Sequence, residues 1–247
     1  GIKAEKWRSR ELSRRNTIKQ KYRNGTGGIN GQPQEAEDVE DDGTKEMEKA
    51  EAILKYLHDL DCIGHSDIRA TVIGYNTLLS GWARLANELR PDIPLKSEKL
   101  LHDMISLAEQ GANENAAPDV TSFNAVVKAW SRTKQANSAD RCEYWLRKMK
   151  MIGESHSTKY QSERSFIVPP NTQTYNLVMD AHLQLGDPAR VQDMLFEMDA
   201  TDGLAPPNNE SFSKVIRAWL YDELHNPQYL PGLSVENAWN MLNELLD

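Results

Sequence analysis

Four stretches of the sequence carry one pattern of aromatic, polar and aliphatic residues. They begin at Val72, Val120, Thr172 and Asn209 and read VIGYNTLLSGWARL, VTSFNAVVKAWSRT, TQTYNLVMDAHLQL and NESFSKVIRAWLYD. Each has an aromatic residue at its fourth place, Asn or Ser at its fifth, a small residue at its tenth and Trp or His at its eleventh. Aliphatic residues lie between these places at helical spacing, so each stretch is predicted to form an amphipathic helix.

A second apolar frame with helical spacing follows each stretch. Its members are Leu101, Met104, Ile105 and Ala108; then Cys142, Trp145, Leu146 and Met149; then Val191, Met194, Leu195 and Met198; then Ala238, Met241, Leu242 and Leu245. A further copy, formed by Ala50, Ile53, Leu54 and Leu57, precedes the first stretch. Helix pairs this short cannot bury their own apolar faces, so neighbouring pairs must cover one another.

The predicted fold is therefore all-α: an α-solenoid of stacked antiparallel helix pairs that winds into a right-handed superhelix. It comprises a half repeat at 44–71 and repeats at 72–119, 120–171, 172–208 and 209–247. Core positions are predicted for Trp82, Trp130 and Trp219. Surface insertions are predicted for NELRPDIP from Asn87, GESHSTKYQSERSFIV from Gly153 and YDELHNPQYLPG from Tyr221.

Residues 1–43 differ in composition from the rest of the chain. Nine Lys and Arg lie between Gly1 and Gly25, and a Gly-rich linker and the acidic run EAEDVEDDGTKEME follow. Charged blocks of this kind are usually solvated and disordered, so we predict a disordered segment. The alternative is a basic arm that contacts phosphates or an assembly partner. Because the chain begins with Gly, we expect it to be a fragment or a processed form.

The residues that could support catalysis or bind a metal are not arranged for either. Cys62 and Cys142 form no CxxC, and the six histidines are scattered without metal-ligand spacing. The sequence has no phosphate-binding loop of the GxxxxGK type. We expect a protein that is not an enzyme and has no cofactor or metal. No apolar run approaches the length of a membrane span, and the formal net charge of -8 excludes a wholly basic nucleic-acid binder.

The repeats resemble those of the pentatricopeptide repeat family. The best matches are APDVTSFNAVVKAW (117–130) and PPNTQTYNLVMDAH (169–182), in which Pro and Asp or Asn precede an aromatic-Asn pair. The stretch PPNNESFSKVIRAW (206–219) matches less closely. The resemblance covers roughly residues 44–247, and the tetratricopeptide pattern Trp-x-x-Leu-Gly-x-x-Tyr is absent. Only the third unit is close to the family's repeat length, because the others carry insertions.

The resemblance implies a protein that binds single-stranded RNA with about one base per repeat. In this family the fifth residue of a repeat reads the base together with the last residue. Asn with Asp favours U, and Asn with Asn favours C or U. The implied reading pairs are Asn76 with Asp119, Asn124 with Asn171 and Asn176 with Asn208, and Ser213 takes the fifth place of the last unit. The alternative for the Asn residues is helix N-terminal capping.

The resemblance also implies that the second residue of each repeat packs against the base. Ile73 has the aliphatic side chain usual at this place, whereas Thr121, Gln173 and Glu210 do not. Lys128 and Arg132 are predicted to line an RNA groove. Further basic candidates are Arg84 and Arg217 in the first and last units. Within the second unit they are Lys134, Arg141, Arg147, Lys148 and Lys150, and these make it the most basic part of the solenoid.

Two functions are consistent with these patterns. The first is an RNA-binding module that acts in RNA processing, stability or translation, in a mitochondrion or a plastid as the resemblance implies, with pyrimidine-leaning single-stranded RNA as its partner. The alternative is a protein-interaction scaffold within a large complex such as an organellar ribonucleoprotein. The acidic net charge and the long insertions favour this second function.

Overall fold

The computed structural model describes residues 43–62, 69–154, 168–201, 203–225, 236 and 239–240. Regular structure in these ranges is helical, without strands, so the prediction of an all-α chain is confirmed there. The α-helices whose bounds fall within the described ranges are α1 (Thr44–Cys62), α2 (Val72–Leu85), α3 (Ile93–Glu109), α4 (Val120–Ser131), α5 (Ser138–Glu154), α6 (Thr172–Leu185), α7 (Pro188–Asp199) and α8 (Asn209–His225). The predictions for residues 1–42 lie outside the described residues.

The four stretches with the repeated pattern form α2, α4, α6 and α8, and hereafter they are called the first helices. Polar residues set where three of them begin. Asp119 and Asn171 cap α4 and α6 with reciprocal side-chain and backbone bonds to the third helical residue. Asn208 makes the same two bonds with Ser211 at the start of α8. The helix caps are therefore the last residues of the preceding units, and Asn124 and Asn176, for which capping is the alternative prediction, are not the caps of their helices.

A tight turn joins α6 to α7, as the letters Gly-Asp-Pro predict. Gly186 ends α6 in the left-handed conformation with φ of 69°, which costs least for a residue without a Cβ. Asp187 then caps α7 by accepting a hydrogen bond from the backbone N–H of Arg190. Pro188 occupies the first turn, where its missing N–H is not needed. The two helices are therefore short, and most of their apolar surface must be covered by other helices.

Neighbouring helices supply that cover. Each of α2, α4 and α6 packs against the helix that follows it and also against the next first helix. Each of the second helices α3, α5 and α7 packs in turn against the first helix of the next pair. The resulting core is continuous from α1 to α8. Trp82 and Trp130 are fully buried within it, and Trp219 is partly buried.

The apolar frame of the second helices is buried as predicted in α3, α5 and α7, but α1 departs from it. Ile53 is 62% exposed, whereas its counterparts Met104, Trp145 and Met194 are fully buried. The physical reason is that α1 packs against α2 and has no described helix on its other side. The fourth copy of the frame (238, 241, 242 and 245) lies outside the residues whose side chains are described.

Two predicted insertions are partly helical. Tyr221–His225 continues α8 instead of starting a loop, because no glycine or proline interrupts the helix before Pro227. The insertion from Asn87 ends earlier than predicted, since Ile93 and Pro94 form the first turn of α3 and are buried there. The insertion from Gly153 begins after Glu154, the last residue of α5, and residues 155–167 are outside the described ranges. Its last residue, Val168, does not lie on the surface as predicted, because its apolar side chain is buried in the core.

His182 occupies the eleventh place of its repeat, where two other units have a buried tryptophan. Its Nε2 lies 3.0 Å from Glu143 Oε1, and the same oxygen accepts a 2.7 Å bond from Arg190 Nε. Burial lowers the pKa of His182 and outweighs the opposite effect of the Glu143 and Asp187 carboxylates. The Arg190 guanidinium also lowers it. The imidazole is therefore neutral at pH 7 in the folded chain.

Lowering the pH is expected to destabilise the chain through His182. Because the folded-state pKa lies below the unfolded value of about 6.5, the unfolded chain binds the proton more readily, and stability falls as the pH drops through that value. His182→Phe removes the titrating group and should flatten this part of the profile. Urea midpoints of both proteins at several pH values between about 7.5 and 5 test this. Parallel profiles would show that His182 contributes nothing to the pH dependence.

Candidate nucleic-acid interface

The last residue of each of the first three complete units lies beside the fifth residue of the same unit. At the first junction, Asn76 Nδ2 donates to Asp119 Oδ1 at 3.0 Å across 43 positions of sequence. Ser122, in the first turn of α4, donates from Oγ to Asn76 Oδ1 at 2.6 Å. The Asn76 side chain is thus held at both ends of its amide, by the last residue of its own unit and by the first turn of the next.

The same arrangement recurs at the next two junctions. Asn124 Oδ1 accepts from Thr174 Oγ1 at 2.7 Å, and its Nδ2 lies 3.4 Å from Asn171 Oδ1. Asn176 Oδ1 accepts from Ser211 Oγ at 2.8 Å, and its Nδ2 lies 3.3 Å from Asn208 Oδ1. The structure therefore brings together each pair of residues that the resemblance implies. We call the three pairs the amide ladder: Asn76–Asp119, Asn124–Asn171 and Asn176–Asn208.

The hydrogen-bonding groups left over in the ladder differ between its pairs. Each Asn amide has a second N–H, and at Asn76 and Asn176 this hydrogen has no partner among the described residues. Asp119 binds its neighbours through Oδ1, which leaves Oδ2 as an acceptor. Asn208 also accepts through Oδ1, which leaves its NH₂ group as a donor. The first pair can therefore donate and accept, whereas the third offers donors only.

A cleft opens beside the third pair of the ladder. Its volume is about 560 Å³, and its lining residues come from α4, α6, α8 and the caps before α6 and α8: Lys128, Asn171, Thr172, Gln173, Asn176, Leu177, Asn208 and Glu210. It contains both members of the third pair and one member of the second. The cleft also contains Gln173 and Glu210, the second residues of two successive units. Polar groups and one lysine thus converge at a concave surface.

The remaining predicted site residues lie in different places. Ile73 is 75% exposed at the start of α2, as a residue that packs against a ligand would be. Ser213 bonds the backbone oxygen of Asn209 within its own helix at 2.6 Å. Lys128 and Arg132 do not share one groove. Lys128 lines the cleft at the ladder, whereas Arg132 lies one helical turn further on, in a second cleft with Arg217.

Several basic side chains of the second unit serve another purpose. Arg141, Lys150 and Lys134 each form an ion pair with a carboxylate of another unit, namely Glu98, Glu197 and Glu88 respectively. For Lys150, burial lowers the pKa, but the bond to Glu197 and the contact with Tyr175 outweigh it, so the pKa is raised. The prediction of a basic second unit therefore overestimates the charge available to a ligand. These residues connect neighbouring repeats instead.

Glu210 is also paired, which changes its predicted effect. Its carboxylate lies 3.1 Å from Lys214 Nζ, and the same ammonium contacts Asp180. Lys214 is almost completely buried beneath these two acids. The negative charge that the sequence places at the second residue of the last unit is thus partly neutralised within the cleft wall.

Sequence reasoning missed the hydroxyls that hold the ladder. Ser122, Thr174 and Ser211 are the third residues of their helices and are fully buried. A Ser or Thr at the third place is visible in three of the four stretches, directly before the aromatic residue. It could have been noticed as a recurrent feature, but its role depends on which residue of the preceding unit lies opposite. That information is absent from the local pattern.

The described part of the chain gives no indication of a metal centre or a membrane anchor. Within the described ranges, no three or more His, Cys, Asp or Glu side chains are grouped as they would be around a metal ion. None of the helices described combines the length and the apolar character that crossing a membrane would require.

Comparison with known proteins gives a distant sequence similarity to a repeat protein and no match to a protein family. No protein-family model matches the chain. A pentatricopeptide repeat-containing protein of Arabidopsis thaliana is 27% identical to it over 187 residues. The alignment covers 73% of this chain but only 28% of the Arabidopsis protein. The chain thus spans less than a third of that relative's length. It is an all-helical protein in the described ranges, with distant similarity to a pentatricopeptide repeat protein.

Proposed function

We propose that the chain is a single-stranded RNA-binding module of the pentatricopeptide repeat type. Its helix pairs would stack in antiparallel fashion into an α-solenoid with a right-handed superhelix, and each complete unit would present one base-reading site. The observation that carries the proposal is the amide ladder. Three Asn side chains in equivalent places each meet the last residue of their unit, and a polar cleft opens beside them.

The leftover hydrogen-bonding groups favour pyrimidines. The donor of Asn76 and the acceptor Oδ2 of Asp119 complement uracil, which has a carbonyl oxygen next to the N3–H donor. The two donors of the third pair complement cytosine, which has O2 and N3 as adjacent acceptors. The second pair has the same composition and receives the same assignment, with Asn124 Nδ2 also 3.5 Å from Gln173 Oε1, a contact at the outer limit of a hydrogen bond. We therefore propose U at the first site and C at the other two, read on the Watson–Crick edge of unstacked bases.

Phosphate contacts would come from cations on the first helices. Lys128, Arg132 and Arg217 are exposed and make no ion pair with a described carboxylate. They lie about one to two helical turns beyond the fifth residues of their units, Asn124 and Ser213, on the same side of the helix. A backbone with its bases against the ladder could reach them. The neutralisation of Glu210 by Lys214 reduces the repulsion that an unpaired carboxylate would exert on a phosphate.

The biological setting is proposed from the same resemblance. We place the protein in a mitochondrion or a plastid, with a role in RNA processing, stability or translation rather than in catalysis. Three sites make a short track, and the ordering of a flexible RNA opposes binding. Stable binding would therefore require further repeats or a ribonucleoprotein partner.

Exchanging the last residue of a unit is the sharpest test. Asp and Asn are equally good helix caps, so Asp119→Asn and Asn208→Asp should leave the fold intact. We expect Asp119→Asn to shift the first site from U to C, and Asn208→Asp to shift the third from C to U. Each shift should change relative affinity by about tenfold, which is about 1.4 kcal/mol and lies within the range of about 1–3 kcal/mol for one base contact. Fluorescence anisotropy measures the change in affinity with oligonucleotides that differ at one position. Each base series is tested in both 5′-to-3′ directions along the repeats.

Purine-only RNA and DNA of the same sequence are the controls for specificity, and a salt series separates phosphate contacts from base contacts. Binding that is equal for all sequences and unchanged in the exchanged variants would contradict base reading. An absence of binding at low salt would favour the alternative function, a protein-interaction scaffold.

A further inference from the structure

We infer that the hydroxyl at the third place of each following repeat is a specificity-determining residue, because it fixes which end of the base-reading amide faces the RNA. The residues are Ser122, Thr174 and Ser211, acting on Asn76, Asn124 and Asn176 respectively. They touch no base themselves and act through the Asn side chain. This inference rests on the proposed function and adds a residue to each reading site.

The distances direct the hydroxyl proton to the Asn. Ser122 Oγ is 2.6 Å from Asn76 Oδ1 but 3.1 Å from Asp119 Oδ1. At the other two junctions the corresponding distances are 2.7 and 3.0 Å for Thr174, and 2.8 and 3.0 Å for Ser211. A hydroxyl has one proton to donate. In all three cases it is closest to the amide oxygen, so this oxygen is held inside the junction.

The acceptor capacity of each hydroxyl is used as well. Ser122 Oγ accepts from the backbone N–H of Asp119 at 3.1 Å, and Thr174 Oγ1 accepts from that of Asn171 at 3.1 Å. Ser211 Oγ accepts from the N–H of Asn208 at 3.2 Å. Each hydroxyl is fully buried and thus cannot turn toward water. It is oriented by the helix cap and in turn orients the Asn amide.

The consequence for recognition follows from the symmetry of an amide. The two ends of an Asn side chain have nearly the same shape but opposite hydrogen-bonding character. A half-turn of the terminal group would present Oδ1 to the base in place of N–H. A site composed of two donors would then become a site with one donor and one acceptor. On the assignment proposed above, that change converts a cytosine site into a uracil site.

The three junctions should differ in their dependence on the hydroxyl. At the first, Asp119 can only accept, and its 3.0 Å bond already holds the Asn76 NH₂ group in place. At the second and third junctions the Asn-to-Asn contacts are longer, at 3.4 and 3.3 Å, and the additional contact of Asn124 Nδ2 with Gln173 Oε1 is longer still, at 3.5 Å. Their partner residues also have an NH₂ group that could face a turned amide oxygen. The hydroxyl is thus redundant at Ser122 and decisive at Thr174 and Ser211.

The test compares Thr174→Val and Ser211→Ala with Ser122→Ala. All three remove the same cap acceptor, so similar losses of stability are expected, and thermal unfolding checks this. Anisotropy with oligonucleotides that exchange C and U at one site gives the discrimination ratio. We expect Thr174→Val and Ser211→Ala to lose about tenfold discrimination for C at their own sites, or to reverse it. Ser122→Ala should keep its preference for U, and Thr174→Ser should restore the wild-type ratio.

Unchanged discrimination in Thr174→Val and Ser211→Ala, with wild-type binding intact, would overturn this inference and leave the proposed function standing. Equal losses in all three variants would also overturn it, since they would indicate a general structural effect. A wild-type chain that binds no RNA would overturn the proposed function itself, and this inference with it.

Discussion

Trp145→Ala is expected to lower the free energy of unfolding by about 4 kcal/mol, the middle of the range for truncation of a buried aromatic residue. Trp145 is fully buried on α5, where its ring packs edge-on against Phe123 at 5.8 Å and beside His102 at 5.1 Å. Its Nε1 also donates to Glu98 Oε1 at 2.5 Å. The substitution thus creates a cavity between two repeats and removes a donor from a buried carboxylate. Urea unfolding followed by circular dichroism gives the value.

Trp145→Phe is the matched control, because it keeps most of the ring and removes the N–H. We expect it to cost about 1.5–3 kcal/mol, the typical value for loss of a hydrogen bond to a charged group. The difference between the two variants isolates the contribution of packing. If Trp145→Ala cost no more than Trp145→Phe, the ring would not be filling the space between the first two complete units.

Arg141→Met is the second substitution with a large expected effect. Glu98 is 5% exposed, and its two oxygens accept from Arg141 Nη2 at 2.5 and 2.6 Å. Removing the guanidinium leaves a buried carboxylate with Trp145 as its remaining donor. The cost of such an unpaired charge is about 3–5 kcal/mol. Because about a third of the Arg141 side chain is exposed and water can reach the site, we expect about 3 kcal/mol.

The double variant Glu98→Gln with Arg141→Met decides whether charge is the cause. Neutralising the carboxylate removes the unpaired charge while retaining an oxygen that can accept from Trp145. The double variant should therefore recover most of the stability lost in the single one. Equal stability of the two would mean that Arg141 contributes by packing over Trp130 and Tyr144, whose rings it overlies at 5.7 and 5.1 Å.

These two residues also bear on the proposed function. The ion pair between Glu98 and Arg141 joins the second helices of the first two complete units. The Asn76–Asp119 pair joins their first helices. Loosening the contact between the second helices should therefore change the distance between Asn76 and Asp119. Stability variants at Trp145 and Arg141 are therefore unsuitable as neutral controls in RNA-binding measurements.

Local sequence determined the helices and their apolar faces. Three short-range signals act here, and each affects structure only within a few residues of its own position. They are the helical spacing of aliphatic residues, the Asp or Asn before the first turn, and Gly-Asp-Pro between α6 and α7. The repetition of one pattern required that pairs pack on neighbouring pairs. Burial of Trp82 and of the frame around Met194 follows from the same periodicity.

Tertiary structure decided which polar groups meet. The pairing of Asn124 with Asn171 was implied only by resemblance to a family, since 47 residues and an insertion separate them. The orientation of the Asn124 amide depends on the buried Thr174 hydroxyl, which lies 2.7 Å from its oxygen. Whether Arg141 is available to a ligand depends on Glu98, which lies in another repeat and pairs with it. Hydrogen bonds and ion pairs tolerate changes of only a few tenths of an ångström in the distance between donor and acceptor. Their partners are therefore fixed only after the helices have packed. Hydrophobic burial tolerates far looser placement, and for that reason the sequence alone predicts the core better than the site.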